Sequence, residues 1–195
     1  MTAVIVVCTG NVCRSPIAEG LMRRATEHRT VGAPITVSSA GTAGWEGSPA
    51  MPEAVEAAAE RGVDISGHVA TRFRPGMAAV ADLVLCMAAE HRDQIASDDP
   101  QALDRTFTLK ELVRLLEGGA RAAATPAATP AARIAAAAAA RAAAEAGEHQ
   151  DEDIADPLGL PLDGYRAIAS ELDDWIVRLV PALFDPVPAT VSGEH

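Results

Sequence analysis

Cys8, Thr9, Gly10, Asn11, Val12, Cys13, Arg14 and Ser15 bring a nucleophile, a flexible turn and a fixed positive charge into one short stretch. The run before it, Ala3 to Val7, is apolar and β-branched, as expected of a central strand, while Ser15 and Pro16 are residues that start helices. The stretch therefore reads as a strand-to-helix loop, in which successive backbone N–H groups converge on one anion and the helix N-terminus favours phosphate. Arg14 adds a planar fork suited to two phosphate oxygens at once. The same field favours the thiolate form of Cys8, the nucleophilic form. Ser15 is placed to donate its hydroxyl to the sulfur besides capping the helix. A lone cysteine at a strand end would ordinarily be core, but Gly10, Asn11, Cys13 and Ser15 in the same turn argue against that reading here. The chemistry these residues suit is thiolate attack on a bound phosphoryl group.

The elements that must hold this loop show in the apolar pattern. Ile17, Ala18, Leu21, Met22 and Ala25 give a helical stripe after the loop. Ile35 to Ser39 reads as a strand, Pro52 to Arg61 as a helix closed by Gly62, Asp82 to Met87 as a strand, and Arg105 to Leu109 as a fourth, shorter one. Strands alternating with helices imply an α/β fold: a single domain with a parallel four-stranded sheet flanked by helices. Its phosphate-binding loop lies between the first strand and the first helix, at the carboxyl end of the sheet where ligands bind. Tyr165 to Leu183, with Ile168, Leu172, Trp175, Ile176 and Leu179, carries a helical pattern that should pack on the sheet. The expected domain covers 1–185, interrupted at about 118–150 by a low-complexity Ala/Pro-rich insertion, with a disordered tail at 186–195. Ala131 to Ala146 has no evident apolar face, so the insertion reads as a solvated, marginally helical segment.

With 195 residues the chain can close a core without staples, and a net charge of −11 argues against nucleic acid as a partner. No apolar run is long enough to span a membrane, and Met1 to Val7 lacks a basic leader, so a cytoplasmic location without membrane association is expected. Cys8, Cys13 and Cys86 form neither a Cys-x-x-Cys pair nor an even set, which points away from a disulfide framework and a zinc site; no metal is expected.

The loop Cys8-Thr9-Gly10-Asn11-Val12-Cys13-Arg14-Ser15 resembles the signature Cys-x-Gly-Asn-x-Cys-Arg-Ser of the low molecular weight protein tyrosine phosphatases, and Asp156-Pro157 resembles their late Asp-Pro loop. Ser39-Ala40-Gly41-Thr42, Ser66-Gly67-His68 and the Asp82 to Met87 strand followed by His91 extend the resemblance over most of the chain apart from the insertion and tail. It implies a phosphatase needing neither metal nor cofactor, which hydrolyses phosphotyrosine in phosphorylated proteins through a cysteinyl-phosphate intermediate and releases inorganic phosphate. By position it makes Cys8 the attacking thiolate, Arg14 the clamp, Asn11 the brace of the loop and Asp156 the proton donor, with Thr9 to Ser15 binding phosphate. Asp151, Asp153 and Asp163 lie near Asp156 and by themselves read as a solvated acidic face; Pro157 is what distinguishes Asp156.

Other residues keep two readings each. Cys13 either fills the buried side of the loop or, as the resemblance implies, forms a reversible disulfide with Cys8 under oxidation. Trp45 either stacks on an aryl phosphate at the pocket mouth or packs in the core. His68 and His91 read as structural hydrogen-bonding groups. Leu158 stands where many tyrosine phosphatases carry an aromatic residue, and Val12 where the related protein-arginine phosphatases carry threonine. The expected substrate is phosphotyrosine, with phosphoarginine as the alternative. A third reading, thiol-dependent arsenate reduction, draws on Cys86 as a first relay cysteine, but Ala88 to Asp98 offers no second one. A phosphopeptide-binding module without catalysis is a fourth, against which stand Cys8, Arg14 and Asp156.

Overall fold

The computed structural model describes residues 1–27, 34–120, 129–143 and 151–186. Residues 121–128 and 144–150 of the expected insertion, and 187–195 of the expected tail, lie outside them. Four strands, β1 (Thr2–Cys8), β2 (Ile35–Gly41), β3 (Leu83–Cys86) and β4 (Thr106–Thr108), pair in parallel in the order β2-β1-β3-β4. The helices are α1 (Arg14–Glu27), α2 (Pro52–Ala59), α3 (Pro75–Val80), α4 (Ala89–Asp98), α5 (Leu109–Leu115), α6 (Pro130–Ala143) and α7 (Leu162–Phe184). The chain leaves β1 to one side and returns to the other, so the end of β1 is the switch point at which parallel sheets open a crevice.

Strand alternation divides β1 between two cores. Val4, Val6 and Cys8 belong to the larger one, with Ile17 and Leu21 of α1, Leu112 of α5 and Leu172, Ile176 and Leu179 of α7. Ile5 and Val7 face the smaller one, with Ala78, Val84, Cys86 and Ile95. A strand buried on both faces is why Ala3 to Val7 reads as an unbroken apolar run.

Several expectations need adjustment. Helices α3, α4 and α5 were not evident from the apolar pattern: α3 buries only Ala78 and α4 only His91 and Ile95, while α5 is seven residues long and its buried set includes the charged Lys110 and Glu111. α1 begins at Arg14, so Pro16 is not its first residue and Ser15 is not its cap; the Ser15 hydroxyl is spent inside the loop. The alanine-rich stretch does have a packed face. Arg133, Ile134, Ala137 and Ala138 of α6 are buried against α5, α7 and residues 100–120. Alanine methyls suffice because they let helices approach closely, and two arginines tie the helix down. Arg133 Nη1 donates to the Ala182 carbonyl at 3.1 Å. Arg141 lies 4.4 Å over the Phe107 ring and donates to the carbonyls of Thr106 (2.8 Å) and Leu103 (2.6 Å).

Candidate active site

The loop from Cys8 to Ser15 is shaped by Asn11. Its φ of 58° is in the left-handed region that asparagine tolerates better than most residues. Its side chain is bonded at both ends: Nδ2 donates to Ser15 Oγ at 2.9 Å and Ser39 Oγ at 2.8 Å, and Oδ1 accepts from the Thr71 N–H at 2.7 Å. The Asn11 carbonyl lies 2.8 Å from His68 Nε2. The end of β2 closes on the loop so tightly that a Cβ on Gly41 would sit 2.5 Å from the Thr9 carbonyl oxygen and 2.8 Å from the Asn11 nitrogen.

This bracing aims two donors at sulfur. The Asn11 N–H donates to Cys8 Sγ at 3.3 Å, and Ser15 Oγ lies 2.9 Å from the same atom. Ser15 Oγ accepts from Asn11, which leaves its hydrogen for Cys8 Sγ rather than for the more distant Ala40 carbonyl at 3.5 Å. Such an arrangement suits a thiolate.

Arg14, 5% exposed, is oriented from three sides. Nη1 donates to the Ile154 carbonyl at 3.0 Å, and Nη2 donates to Thr9 Oγ1 at 3.1 Å and to Asp156 Oδ2 at 2.6 Å. Its Nε is a buried donor with no acceptor among the described residues, the kind of group an anion satisfies. Thr9 Oγ1, which accepts from Arg14, lies 2.9 Å from His91 Nε2 and so links the imidazole to the clamp. Burial, and then the Arg14 charge, push the His91 pKa down to about 4 against the opposing pull of Asp153 and Asp156, so the ring is neutral near pH 7.

Cys8, Thr9, Gly10, Val12, Cys13, Arg14, Trp45, Asp156 and Leu158 line one cavity of about 90 Å³. Trp45, 47% exposed, stands at its mouth with the exposed Leu158, and the Trp45 backbone N–H donates to the Gly10 carbonyl at 3.1 Å. A larger cleft of about 700 Å³, between α1 and residues 62–71, contains none of the cysteines, Arg14 or Asp156. Cys13 is buried, with its Sγ donating to Tyr165 Oη at 3.8 Å, and burial pushes its pKa up to about 11. Cys86 lies in the smaller core, away from the cavity, with its thiol likewise pushed up by burial.

Sequence alone gives no role to Ser39, Thr71 or Ile154, which reach the loop through Asn11 and Arg14 from far along the chain. Asp151 and Asp153 are exposed, as a solvated acidic face should be, yet the acids before Asp156 also have partners: Lys110 Nζ lies 3.0 Å from Asp151 Oδ2, Arg92 Nη1 lies 2.9 Å from Glu152 Oε2, and Asp153 Oδ1 accepts from the Ala89 N–H at 2.8 Å. The signal was Lys110 and Arg92, basic residues on the short helices the pattern did not reveal. Asp163 is turned away, bonded to Arg166 at 2.9 Å.

The parallel sheet thus ends in a cysteine loop beside a small cavity, with a buried arginine and the carboxylate paired to it in the wall. The chain belongs to the low molecular weight phosphotyrosine protein phosphatase family, whose model matches residues 3–137. That match takes in the cysteine loop and ends before Asp156. A protein-arginine-phosphatase of Geobacillus stearothermophilus is 32% identical over 180 residues, covering 92% of this chain and 95% of the relative. The probable low molecular weight protein-tyrosine-phosphatase EpsP of Ralstonia solanacearum is 38% identical over 109 residues, 56% of this chain and 71% of its own. The crystal structure of a low molecular weight protein tyrosine phosphatase from T. tengcongensis superposes with a TM-score of 0.70 at 34% identity, covering 94% of this chain and all of that one. Among the described residues no helix is long and apolar enough to cross a membrane.

Proposed function

We propose that this protein is a protein tyrosine phosphatase that uses Cys8 as nucleophile, Arg14 as phosphate clamp and Asp156 as general acid and base. The observation that carries the reading is the convergence of Cys8 Sγ, with its two donors, and the Arg14–Asp156 pair on one cavity. A phosphate monoester enters with its non-bridging oxygens on the loop N–H groups and the Arg14 guanidinium. The Cys8 thiolate attacks phosphorus as the bond to the leaving oxygen breaks, and the Asp156 carboxyl proton passes to that oxygen. Water then attacks the cysteinyl phosphate and gives its proton to the Asp156 carboxylate. The thiolate departs and inorganic phosphate leaves. Negative charge on the transferring phosphoryl group is met by Arg14 and the loop amides.

The walls favour an aryl ester. Trp45, Val12 and Leu158 offer apolar surface to a flat ring, and Asp156, the one carboxylate in the lining among the described residues, is already engaged with Arg14. Phosphoarginine is the second reading, supported by the relative of that activity aligning along nearly the whole chain. In that case Asp156 would meet the substrate guanidinium, while Val12 could give no hydroxyl. The deciding experiment measures kcat/KM for a phosphotyrosine peptide and the matching phosphoarginine peptide. Preference for the tyrosine peptide, abolished in Cys8→Ser, is expected; preference for the arginine peptide would move the substrate, and turnover by Cys8→Ser would refute the nucleophile.

A further inference from the structure

We propose that Arg92, seconded by Lys110, is a positioning residue for Asp156: the two cations grip the arm that delivers the acid and thereby set its distance from the leaving oxygen. The proposal rests on the reading of Asp156 as general acid.

Asp156 is 43% exposed and among the described residues is held by its own contacts only to Arg14 and to the Leu158 N–H, which donates to Oδ1 at 3.1 Å. Its place therefore depends on the arm before it. Three consecutive acids on that arm are each taken by a different partner: Asp151 by Lys110 of α5, Glu152 by Arg92 of α4, and Asp153 by the first N–H of α4. The Ile154 N–H then donates to the Met87 carbonyl at 2.8 Å, just beyond β3, and the Ile154 carbonyl accepts from Arg14. One short segment thus runs from the two cations to the clamp and ends at the acid.

Both cations are largely withdrawn from water, Lys110 at 5% and Arg92 at 14% exposure, but their partners differ: Glu152 is 20% exposed and Asp151 76%. The sheltered Arg92–Glu152 pair is therefore the main grip and Lys110–Asp151, open to water at its acid end, the lesser one. A sheltered pair is weak evidence for stability, since apolar residues of similar volume often serve as well, and the role assigned to this one is to hold geometry. Arg92 is also backed from the core side. Glu111 Oε2 lies 3.2 Å from Arg92 Nη1 and 3.7 Å from Arg141 Nη1, so the end of α6 bears on the same carboxylate. The alanine-rich helix is therefore part of the frame on which the acid arm rests. Lys110 is likewise shared, with Glu171 of α7 at 2.8 Å.

The chemistry supplies a readout that a purely structural role would not move. Phenyl phosphate has a strongly basic leaving oxygen and needs the proton from Asp156, whereas dinitrophenyl phosphate leaves without it. kcat/KM, which reports the steps through the first phosphoryl transfer, should be measured on both esters for Arg92→Gln, Glu152→Gln, Arg92→Lys and the reference Asp156→Ala. Glu152→Gln keeps the shape of the side chain on the arm and removes only its charge, so the test does not hang on the folding of Arg92→Gln. Arg92→Gln and Glu152→Gln are expected to lose about tenfold on phenyl phosphate, the scale of a sub-ångström misplacement, and less than about twofold on dinitrophenyl phosphate, with Arg92→Lys recovering part of the loss. Equal losses on both esters, or no loss on either, would overturn the positioning role. If Asp156→Ala itself shows no difference between the esters, the acid assignment fails first and takes the positioning role with it.

Discussion

Arg14 Nη2 and Asp156 Oδ2 stand 2.6 Å apart, so the residue that should clamp phosphate and the residue that should deliver the proton hold each other. An incoming phosphoryl group must compete with Asp156 for the guanidinium, and a charged carboxylate at the cavity also repels the dianion. Asp156→Ala is therefore expected to act in opposite directions on binding and turnover. Inhibition by inorganic phosphate or vanadate should tighten by roughly three- to tenfold as the charge-assisted bond is removed. kcat/KM for phenyl phosphate should fall by about 10²-fold or more, the usual contribution of general acid catalysis. Weaker oxyanion binding in the variant would contradict the competition.

Asn11 separates backbone strain from side-chain bracing. Asn11→Gly keeps the left-handed φ at no steric cost but releases Ser15, Ser39 and Thr71; Asn11→Ala adds the cost of a Cβ at that φ. Both should lose at least about tenfold in kcat/KM as the loop loses its shape. The alanine variant should also be roughly 1 kcal/mol less stable than the glycine variant in urea unfolding.

His91 makes stability fall toward acid. Its folded-state pKa of about 4 is below the unfolded value of 6.5, so the unfolded chain takes up the proton first as pH drops. The contribution is present in full above pH 6.5 and is lost progressively down to about pH 4, amounting to about 2–3 kcal/mol at most by the lower end. Urea titrations at both ends of this window should show a steeper loss for the intact protein than for His91→Gln, which cannot take up a proton. Parallel losses would show that other groups carry the acid sensitivity.

Ile134 reports on the alanine-rich helix. It is buried in α6 against the core, so Ile134→Ala should cost about 2 kcal/mol or more in global unfolding. A residue in a loose solvated linker would cost less than about 0.5 kcal/mol.

These residues also show what a sequence discloses. The cysteine loop was legible because its chemistry is local: Cys8, Asn11, Arg14 and Ser15 meet within one turn after a strand whose apolar run is unbroken. What braces that loop was not, since Asn11 meets Ser39 and Thr71, and Arg14 meets Ile154, across long stretches of chain. The partners of the acids at 151–153 were hidden for the same reason. An acidic run is usually solvated, and only the fold brings Arg92 and Lys110 against it. α5 did carry a local sign, the capping box of Thr108 and Glu111, whose side chains exchange hydrogen bonds with each other's backbone N–H. α6 hid its packed face because alanines score as featureless while their small size is what lets the helix dock.

The most direct test of the central claim is to trap the intermediate. The protein would be mixed with an aryl phosphate, quenched in acid within the first turnovers and mapped by peptide mass spectrometry, alongside Cys8→Ser and Asp156→Ala. A phosphoryl group on the Cys8 peptide of the active protein, more persistent in Asp156→Ala because water lacks its base, together with no turnover by Cys8→Ser, is the expected result. Turnover that proceeds with no phosphoryl group on Cys8, or that survives Cys8→Ser, would contradict a cysteinyl-phosphate mechanism in this protein.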